Sequence, residues 1–483
     1  MNIRYFNFVG GANVMVSPFL MADNDLEVAD NINVTYRLGA ILKRLGYAQV
    51  GGALDAKPIT GLHNFRQSSS VQKILATCNN SAGTNLTLQW NNSGTWEDIV
   101  LSSAWDGYED ATVEMEDFLG HCFFVGYDST DGAWLPVASL TGTTFSTSAN
   151  VTSMPQAKYI KRYRDRLYIA NCYETSARPY RVYYSSVPTA GAITWTVATD
   201  FIDVDYSEAI TGLGSNWDRL MIFTEYSAYM YDQSTKKNVW DVGCSNHRTI
   251  KNSGAYMMWA NRDGVWVSTG GRPENIAGKM MDFIKFGTPS DFFAEVIDEE
   301  YHLHVGDVTV DGVDYTNCSI IYNIPSSTWR WAEYSDQPTV FAFYNDSGDD
   351  RLYMGTQDGE VMNHSKYTDD TPVYSDDGAD IQAYFKTKPF DFGIAEEYKS
   401  LRKMYAYANR AQGLQLKSLV LNKNSVGLLK PESLGQLNKY INEFSPSVKN
   451  GELLQIEGVE VGVNPYFSLY GFVMDIDQVT TKK

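Results

Sequence analysis

The residues best suited to chemistry in this chain are few and scattered. Its six histidines are His63, His121, His247, His302, His304 and His364. His302 and His304 are two apart, so on a strand they share a face and offer two imidazoles to one metal ion. Asp298, Glu299 and Glu300 lie just ahead, but no third ligand follows at an informative spacing, and an exposed strand edge is the competing reading. Asp128-Ser129-Thr130-Asp131-Gly132 and Asp376-Asp377-Gly378-Ala379-Asp380 partly resemble calcium loops. Both lack the full alternation of oxygen ligands and the closing Glu, which fits ordinary acidic turns. Gly10-Gly11 and Gly270-Gly271 are not followed by the Lys and Ser/Thr of a phosphate-cradling loop. The five cysteines (Cys78, Cys122, Cys172, Cys244, Cys318) are odd in number and far apart, with no C-x-x-C pair. Neither a disulfide framework nor a zinc site is expected of them.

Two further patterns bear on binding and catalysis. Lys161-Arg162-Tyr163-Arg164-Asp165-Arg166 is the densest basic stretch. On one strand Arg162, Arg164 and Arg166 would share a face that suits phosphate or an acidic partner; a solvated strand entry is the plainer alternative. Glycoside cleavage needs paired carboxylates, and sialidases add an arginine cluster, a tyrosine nucleophile and repeated Ser-x-Asp-x-Gly-x-Thr-Trp turns. Ser326-Ser327-Thr328-Trp329 comes nearest to that turn and lacks both its Asp and its Gly. No catalytic, cofactor-binding or metal-ligating residue is assigned on these grounds.

The elements that must position these residues are short strands. Strand-like apolar runs recur from about residue 60 to about 370, marked by Leu75, Phe123, Leu167, Leu220, Met257, Leu303 and Leu352. The markers follow one another by 48, 44, 53, 37, 46 and 49 residues. A drifting period in the forties is what a four-stranded propeller blade requires. Three units share x-Asp-Arg-Leu, at Asp165-Arg166-Leu167, Asp218-Arg219-Leu220 and Asp350-Arg351-Leu352. The polar pair suits a turn and the apolar run a buried strand. Asp263-Gly264 and Asp358-Gly359 read as hairpin turns. Cys78, Cys122 and Cys172 fall in or just after successive strands and read as small buried residues. The expectation is an all-β chain with a propeller of six or seven blades over 58–379. A stack of unrelated β-sandwiches is the alternative.

The flanks differ from the repeats. Residues 1–57 read as a turn-rich N-terminal arm that packs on the propeller or on a neighbour. Residues 380–483 read as a β-sandwich-like domain, closing with alternating segments at Leu453–Val463 and Phe467–Ile476. Leu434, Leu437, Tyr440, Ile441 and Phe444 recur at helical spacing after Pro431 and Ser433, so a short helical insertion is expected there.

Composition narrows the function classes. In 483 residues, 39 Lys+Arg stand against 58 Asp+Glu, a formal charge of −19. That argues against a reader that grips nucleic-acid phosphates and against attachment to an anionic membrane. With 13% aromatic residues and only 15 prolines the chain is not disordered. The opening Met1-Asn2-Ile3-Arg4-Tyr5-Phe6-Asn7-Phe8-Val9 is too short and too polar for a signal region, and no run reaches the length of a membrane span. Synthesis in a reducing cytoplasm is expected, and Asn85-Leu86-Thr87 carries no weight as a glycosylation site.

A resemblance adds to this reading. Gly10-Gly11-Ala12-Asn13, Ser17-Pro18-Phe19-Leu20, Asp23-Asn24-Asp25-Leu26, Ala29-Asp30-Asn31-Ile32-Asn33-Val34 and Gly39-Ala40-Ile41-Leu42-Lys43-Arg44-Leu45-Gly46-Tyr47 follow in order. Together they resemble the opening of the tail nozzle proteins of short-tailed double-stranded DNA bacteriophages, also called packaged-DNA stabilisation or head-completion proteins. Leu45 stands where similar proteins have a proline. Arg178-Pro179-Tyr180-Arg181-Val182, Ile210-Thr211-Gly212-Leu213, Val242-Gly243-Cys244 and Phe385–Gly393 continue the resemblance, patchy but ordered over roughly residues 8–400.

The resemblance implies a structural virion protein rather than an enzyme, without cofactors. Such nozzles form six-fold homo-hexameric rings below the portal and its adaptor, the head-to-tail connector, and meet other tail proteins such as fibres or spikes. They prolong the channel for double-stranded DNA, which passes without sequence-specific binding, and help retain the genome until ejection. Virion tail localisation and no membrane anchor follow. An acidic lumen would suit DNA that must slide without sticking. The alternatives are a glycan-binding or glycan-cleaving propeller and a host-receptor module.

Overall fold

The computed structural model of the chain describes residues 2–68, 71–109, 111–346, 348–392, 398–409, 414–421, 432–437, 440–446, 453–460 and 466–479. It is nearly all-β, and one six-residue α-helix, Met281–Phe286, joins a few 3-10 turns among the described residues. No helix there is long and apolar enough to cross a membrane.

Between Ile59 and His364 the chain folds into seven small antiparallel sheets in sequence order. Their second strands are Val71–Asn79, His121–Asp128, Arg166–Tyr173, Arg219–Thr224, Tyr256–Asn261, Glu300–Val310 and Asp349–Thr356. Each carries one of the seven marker residues, and all seven markers are buried. These strands are apolar on both faces because each sheet is covered on both sides by its neighbours. The Asp-Arg-Leu units mark the hairpins into them. Trp217 and Asp218 adopt φ 48° and 56°, the paired left-handed residues of a tight hairpin turn, while Leu220 enters the core.

The first strands pack on one another in cyclic order. Ile59–Ser68 contacts Thr112–Phe118, which contacts Gln156–Tyr163, which contacts Ile210–Asn216. That strand packs on the His247–Thr249 turn ahead of Lys251–Ser253; Phe293–Ile297 and Pro338–Asp346 follow, and the last returns to Ile59–Ser68. The apolar core is divided in the same way. One cluster joins Phe65 and Leu75 of the first sheet to Val113 and Phe124 of the second. Another joins Val340, Ala342 and Tyr353 of the seventh back to Ile59, Leu62 and Ile74 of the first.

The seventh sheet takes its fourth strand from the N-terminal segment. Tyr47–Gln49 pairs with Val361–His364, in the register His364↔Tyr47 and Met362↔Gln49. The residues just before it are held at three distant places. Lys43 and Glu460 form a fully buried ion pair at 2.5 Å. Arg44 is bidentate to Asp376 at 2.6 and 2.8 Å and also donates to the Asn31 side chain and the Glu333 carbonyl. Gly46 lies so close to Ser375 that a Cβ would stand 1.8 Å from its carbonyl oxygen, and only glycine fits. The Tyr47 hydroxyl donates to Asp336.

Residues 2–43 are woven into two sheets with the C-terminal segment. Gly11–Ala12 and Asp25–Asp30 extend the sixth sheet past Thr328–Glu333, then Tyr384–Thr387, Leu453–Glu460, Leu414–Leu421 and Glu432–Gln436 complete ten strands. Asn2–Tyr5, Ile32–Asn33 and Ile41–Lys43 join Ser468–Val479, Tyr398–Asn409 and Ile441–Phe444 in the facing sheet. One core runs through this sandwich into the fifth and sixth sheets.

The expected helical insertion is corrected. Glu432–Gln436 and Ile441–Phe444 are strands, paired with Leu414–Leu421 and Tyr398–Asn409. Ile441 and Glu443 are exposed while Asn442 and Phe444 are buried, a period of two that the list of apolar positions alone concealed. Pro431 and residues 461–463 of the expected segments lie outside the described residues.

Candidate functional site on the axis of the seven sheets

A cavity of about 340 Å³ is lined by residues from the first strand, or the turn leading to it, of all seven sheets. Six of these segments contribute polar side chains to the lining, and the seventh contributes the apolar stretch Val340–Phe343. The axial groups are ion pairs between sheets. Lys161 of the third sheet meets Glu116 of the second at 3.0 Å, and Arg248 meets Glu114 at 2.8 Å. Lys251 of the fifth sheet meets Glu295 of the sixth at 2.9 Å. Arg248 also donates to the carbonyls of Thr60 and Val113, and the Leu213 N–H donates to His247 Nδ1. Away from the cations, the Thr339 hydroxyl donates to the Ile59 carbonyl at 2.7 Å, joining the seventh sheet to the first.

Charge is therefore balanced on the axis, three carboxylates against three cations. Burial would lift the Glu114 carboxyl, yet Arg248 and then His247 hold it below its ordinary value. Lys161 is held above its ordinary value, chiefly by Glu116 against the opposing effect of burial. Burial pushes His247 down to about 4 and leaves it neutral. A glycosidase needs one carboxyl kept protonated beside one kept ionised. The axis instead offers carboxylates each already committed to a cation, an arrangement that fastens sheets together.

One end of the axis opens into a wider mouth of about 740 Å³, which shares Glu114, Arg248 and Phe293 with the axial cavity. His304 lines this mouth, with Nδ1 3.1 Å from the Ser319 hydroxyl and its ring against Phe293. His302 turns into a different pocket, so the strand-mates do not converge on one ion. Among the described residues, His63, Asp117 and Cys122 form the set of three whose ligating atoms lie within 4.8 Å of one another. His63 Nε2 sits 2.8 Å from one Asp117 oxygen and the Arg66 N–H donates to the other, which satisfies the carboxylate without an ion.

The other expected sites resolve into structure. A hairpin turn at Arg164-Asp165 separates Arg162 from Arg166, with Tyr163↔Arg166 paired across it, so the expected single arginine face does not form. Arg162 lies over Phe118, Arg164 pairs with Asp218 of the next sheet, and Arg166 lies over Tyr184. Asp128 is a buried turn residue that accepts the N–H groups of Thr130 and Asp131. Asp376 is the Arg44 partner. Trp329 of the Ser326–Trp329 turn is buried and donates to the Ile276 carbonyl. The axial acids and bases were not legible in the residue order because nothing in Thr112–Phe118, the His247–Thr249 turn or Phe293–Ile297 states which of their polar groups face the axis.

The chain matches no protein-family model and no curated protein.

The buried histidines make one outcome measurable. Burial pushes His302 down to about 4 and His304 to about 3, as it does His247 to about 4. A histidine depressed in the folded state contributes stability in full above its unfolded value of about 6.5 and loses it as pH falls toward the folded value. Buried acids with raised values, Asp336 and Glu460 among them, act in the opposite sense. The wild type is therefore expected to lose more melting temperature than His247→Gln/His304→Gln between about pH 7 and about pH 5. Equal losses in the two proteins would reject the assignment.

Proposed function

We propose that this chain is a structural virion protein, a tail nozzle subunit that prolongs the DNA channel below the portal and adaptor. We further propose that its seven sheets are the blades of a β-propeller closed by the Tyr47–Gln49 strand. The observation that carries the reading is where the nozzle-like residues fall. Lys43, Arg44, Gly46 and Tyr47, the core of the resembling N-terminal segment, are the joints between the seventh sheet, the sixth sheet and the C-terminal strands. Gly212 and Gly243, in the two central segments of the resemblance, sit where added Cβ atoms would strike Ile250 and the Thr224 carbonyl. The shared residues thus build the fold, as a conduit requires.

The axis of a single chain is small and crossed by ion pairs, so in this reading the duplex passes through a ring of several copies. The net charge of −19 suits the lumen of that ring, where an acidic wall would repel phosphate. Single-particle electron microscopy and mass photometry of the purified chain test the proposal. The expected result is a six-fold ring, or addition of such a ring to portal–adaptor complexes. A monomer that adds to no such complex, or a ring with a basic lumen, would overturn it.

A further inference from the structure

A pocket of about 480 Å³ lies between the sixth and seventh sheets, beneath the N-terminal segment and away from the axial cavity. Its size falls within the range of small-molecule sites, roughly 300–1,000 Å³. It differs from every joint described above because it contains buried polar atoms without partners. Both ring nitrogens of His302 lack a hydrogen bond, as do Arg330 Nε and His364 Nε2. His302 is 8% exposed and Arg330 5% exposed. The nearest carboxylate oxygen to His302 Nε2 is that of Glu300 at 3.7 Å, too far for a hydrogen bond. Buried donors and acceptors are paired in the great majority of cases, so several orphans converging on one cavity point to a ligand.

The charges in the pocket indicate what kind of ligand. Each cation already has its anion: Arg330 with Glu300, Arg44 with Asp376, Lys366 with Asp298 and Asp349. An entering anion would find no unmatched positive charge. The uncommitted atoms belong to neutral imidazoles, which offer donors and acceptors together, and to one guanidinium N–H. Alternating donors and acceptors are what vicinal hydroxyl groups require. The remaining walls combine aliphatic Ile297, Ile321 and Leu352 with aromatic Tyr334, and at the rim Tyr36 is stacked on Tyr367 at 4.4 Å, with Tyr36 47% exposed. A ring with apolar C–H faces and polar edges matches this lining.

We propose that the pocket binds a neutral pyranose, with His302, His364 and Arg330 taking its hydroxyl groups and Tyr36 bordering its entrance. The binding is independent of whether the chain forms a nozzle ring. Saturation-transfer NMR on the full chain, with D-glucose, D-galactose, D-mannose and N-acetyl-D-glucosamine as probes and inorganic phosphate as competitor, tests it. At least one sugar is expected to bind, and His302→Phe and Tyr36→Ala are each expected to weaken it tenfold or more. Tyr36 is exposed, so its replacement reads binding even where the buried His302 variant fails to fold. A methyl glycoside binding as well as the parent sugar assigns the site to a glycan end, and its exclusion assigns it to a free sugar. Failure of all four sugars, meaning ordered water only, displacement by phosphate, or binding that survives Tyr36→Ala would each overturn the proposal.

Discussion

Removal of residues 1–49 is expected to abolish cooperative folding rather than release a trimmed but folded protein. The deletion takes away Tyr47–Gln49, the fourth strand of the seventh sheet. It also removes strands from both sheets of the sandwich. Phe8, Leu26, Ile32, Val34, Ile41, Leu42 and Tyr47 are all essentially unexposed. Burial of each large apolar side chain contributes about 1.5–3 kcal/mol, so seven of them amount to the whole stability of an ordinary domain, about 5–15 kcal/mol. Circular dichroism and calorimetry of the truncated chain check this. A sharp unfolding transition within a few degrees of the full-length protein would show that the segment is an appendage. An appendage used only between subunits would leave a folded monomer and lose the oligomer alone.

Arg44→Met is expected to cost about 3–5 kcal/mol, the range for breaking one side of a buried ion pair. The guanidinium is 4% exposed, bonded to Asp376, Asn31 and the carbonyls of Leu45 and Glu333, and stacked over Tyr334 at 5.1 Å. Methionine fills much of the space but leaves Asp376 as an uncompensated buried carboxylate, with the Ser335 N–H and hydroxyl as its remaining donors. Chemical denaturation measures the loss. Arg44→Met/Asp376→Leu is expected to recover a substantial part of it, since replacing both charges by apolar groups removes the orphan. The exposed pair of Arg402 and Asp477 supplies the contrast. Arg402→Met is expected to change stability by about 0.5 kcal/mol or less. Similar losses in the two single variants would remove Arg44 from its role as a joint.

These two outcomes separate what was legible in the residue order from what was not. The seven apolar markers were legible because a buried strand must be apolar wherever it lies, and a turn needs its own chemistry within a few residues. Leu75, Phe123, Leu167, Leu220, Met257, Leu303 and Leu352 each mark the second strand of a separate sheet for that reason. The stretch from Leu434 to Phe444 was misread because apolar positions three apart satisfy a helix pattern, while burial alternated at Ile441–Phe444. The row of Arg162, Arg164 and Arg166 failed on one local event. A turn with Arg164 at φ 51° reverses the chain between them.

The pairing of distant segments was not legible at all. Arg44 finds Asp376, Lys43 finds Glu460, and Tyr47 finds His364, each across more than 300 residues. Backbone hydrogen bonds are the same for every residue type, and apolar burial has no preferred direction. A strand's sequence therefore states that it needs neighbours without naming them. The same holds for the pocket beside His302, whose walls come from 33–36, 44–45, 297–302, 321–334, Leu352 and 364–368. Residue order by itself determined the all-β class, the period of the repeats and the turns between their strands, because those depend on alternation and local backbone geometry. The tertiary structure alone decided that both ends of the chain share two sheets and that the axis is charge-balanced. It also gathered His302, His364 and Arg330 around one cavity, because such neighbours are chosen by packing across the whole molecule.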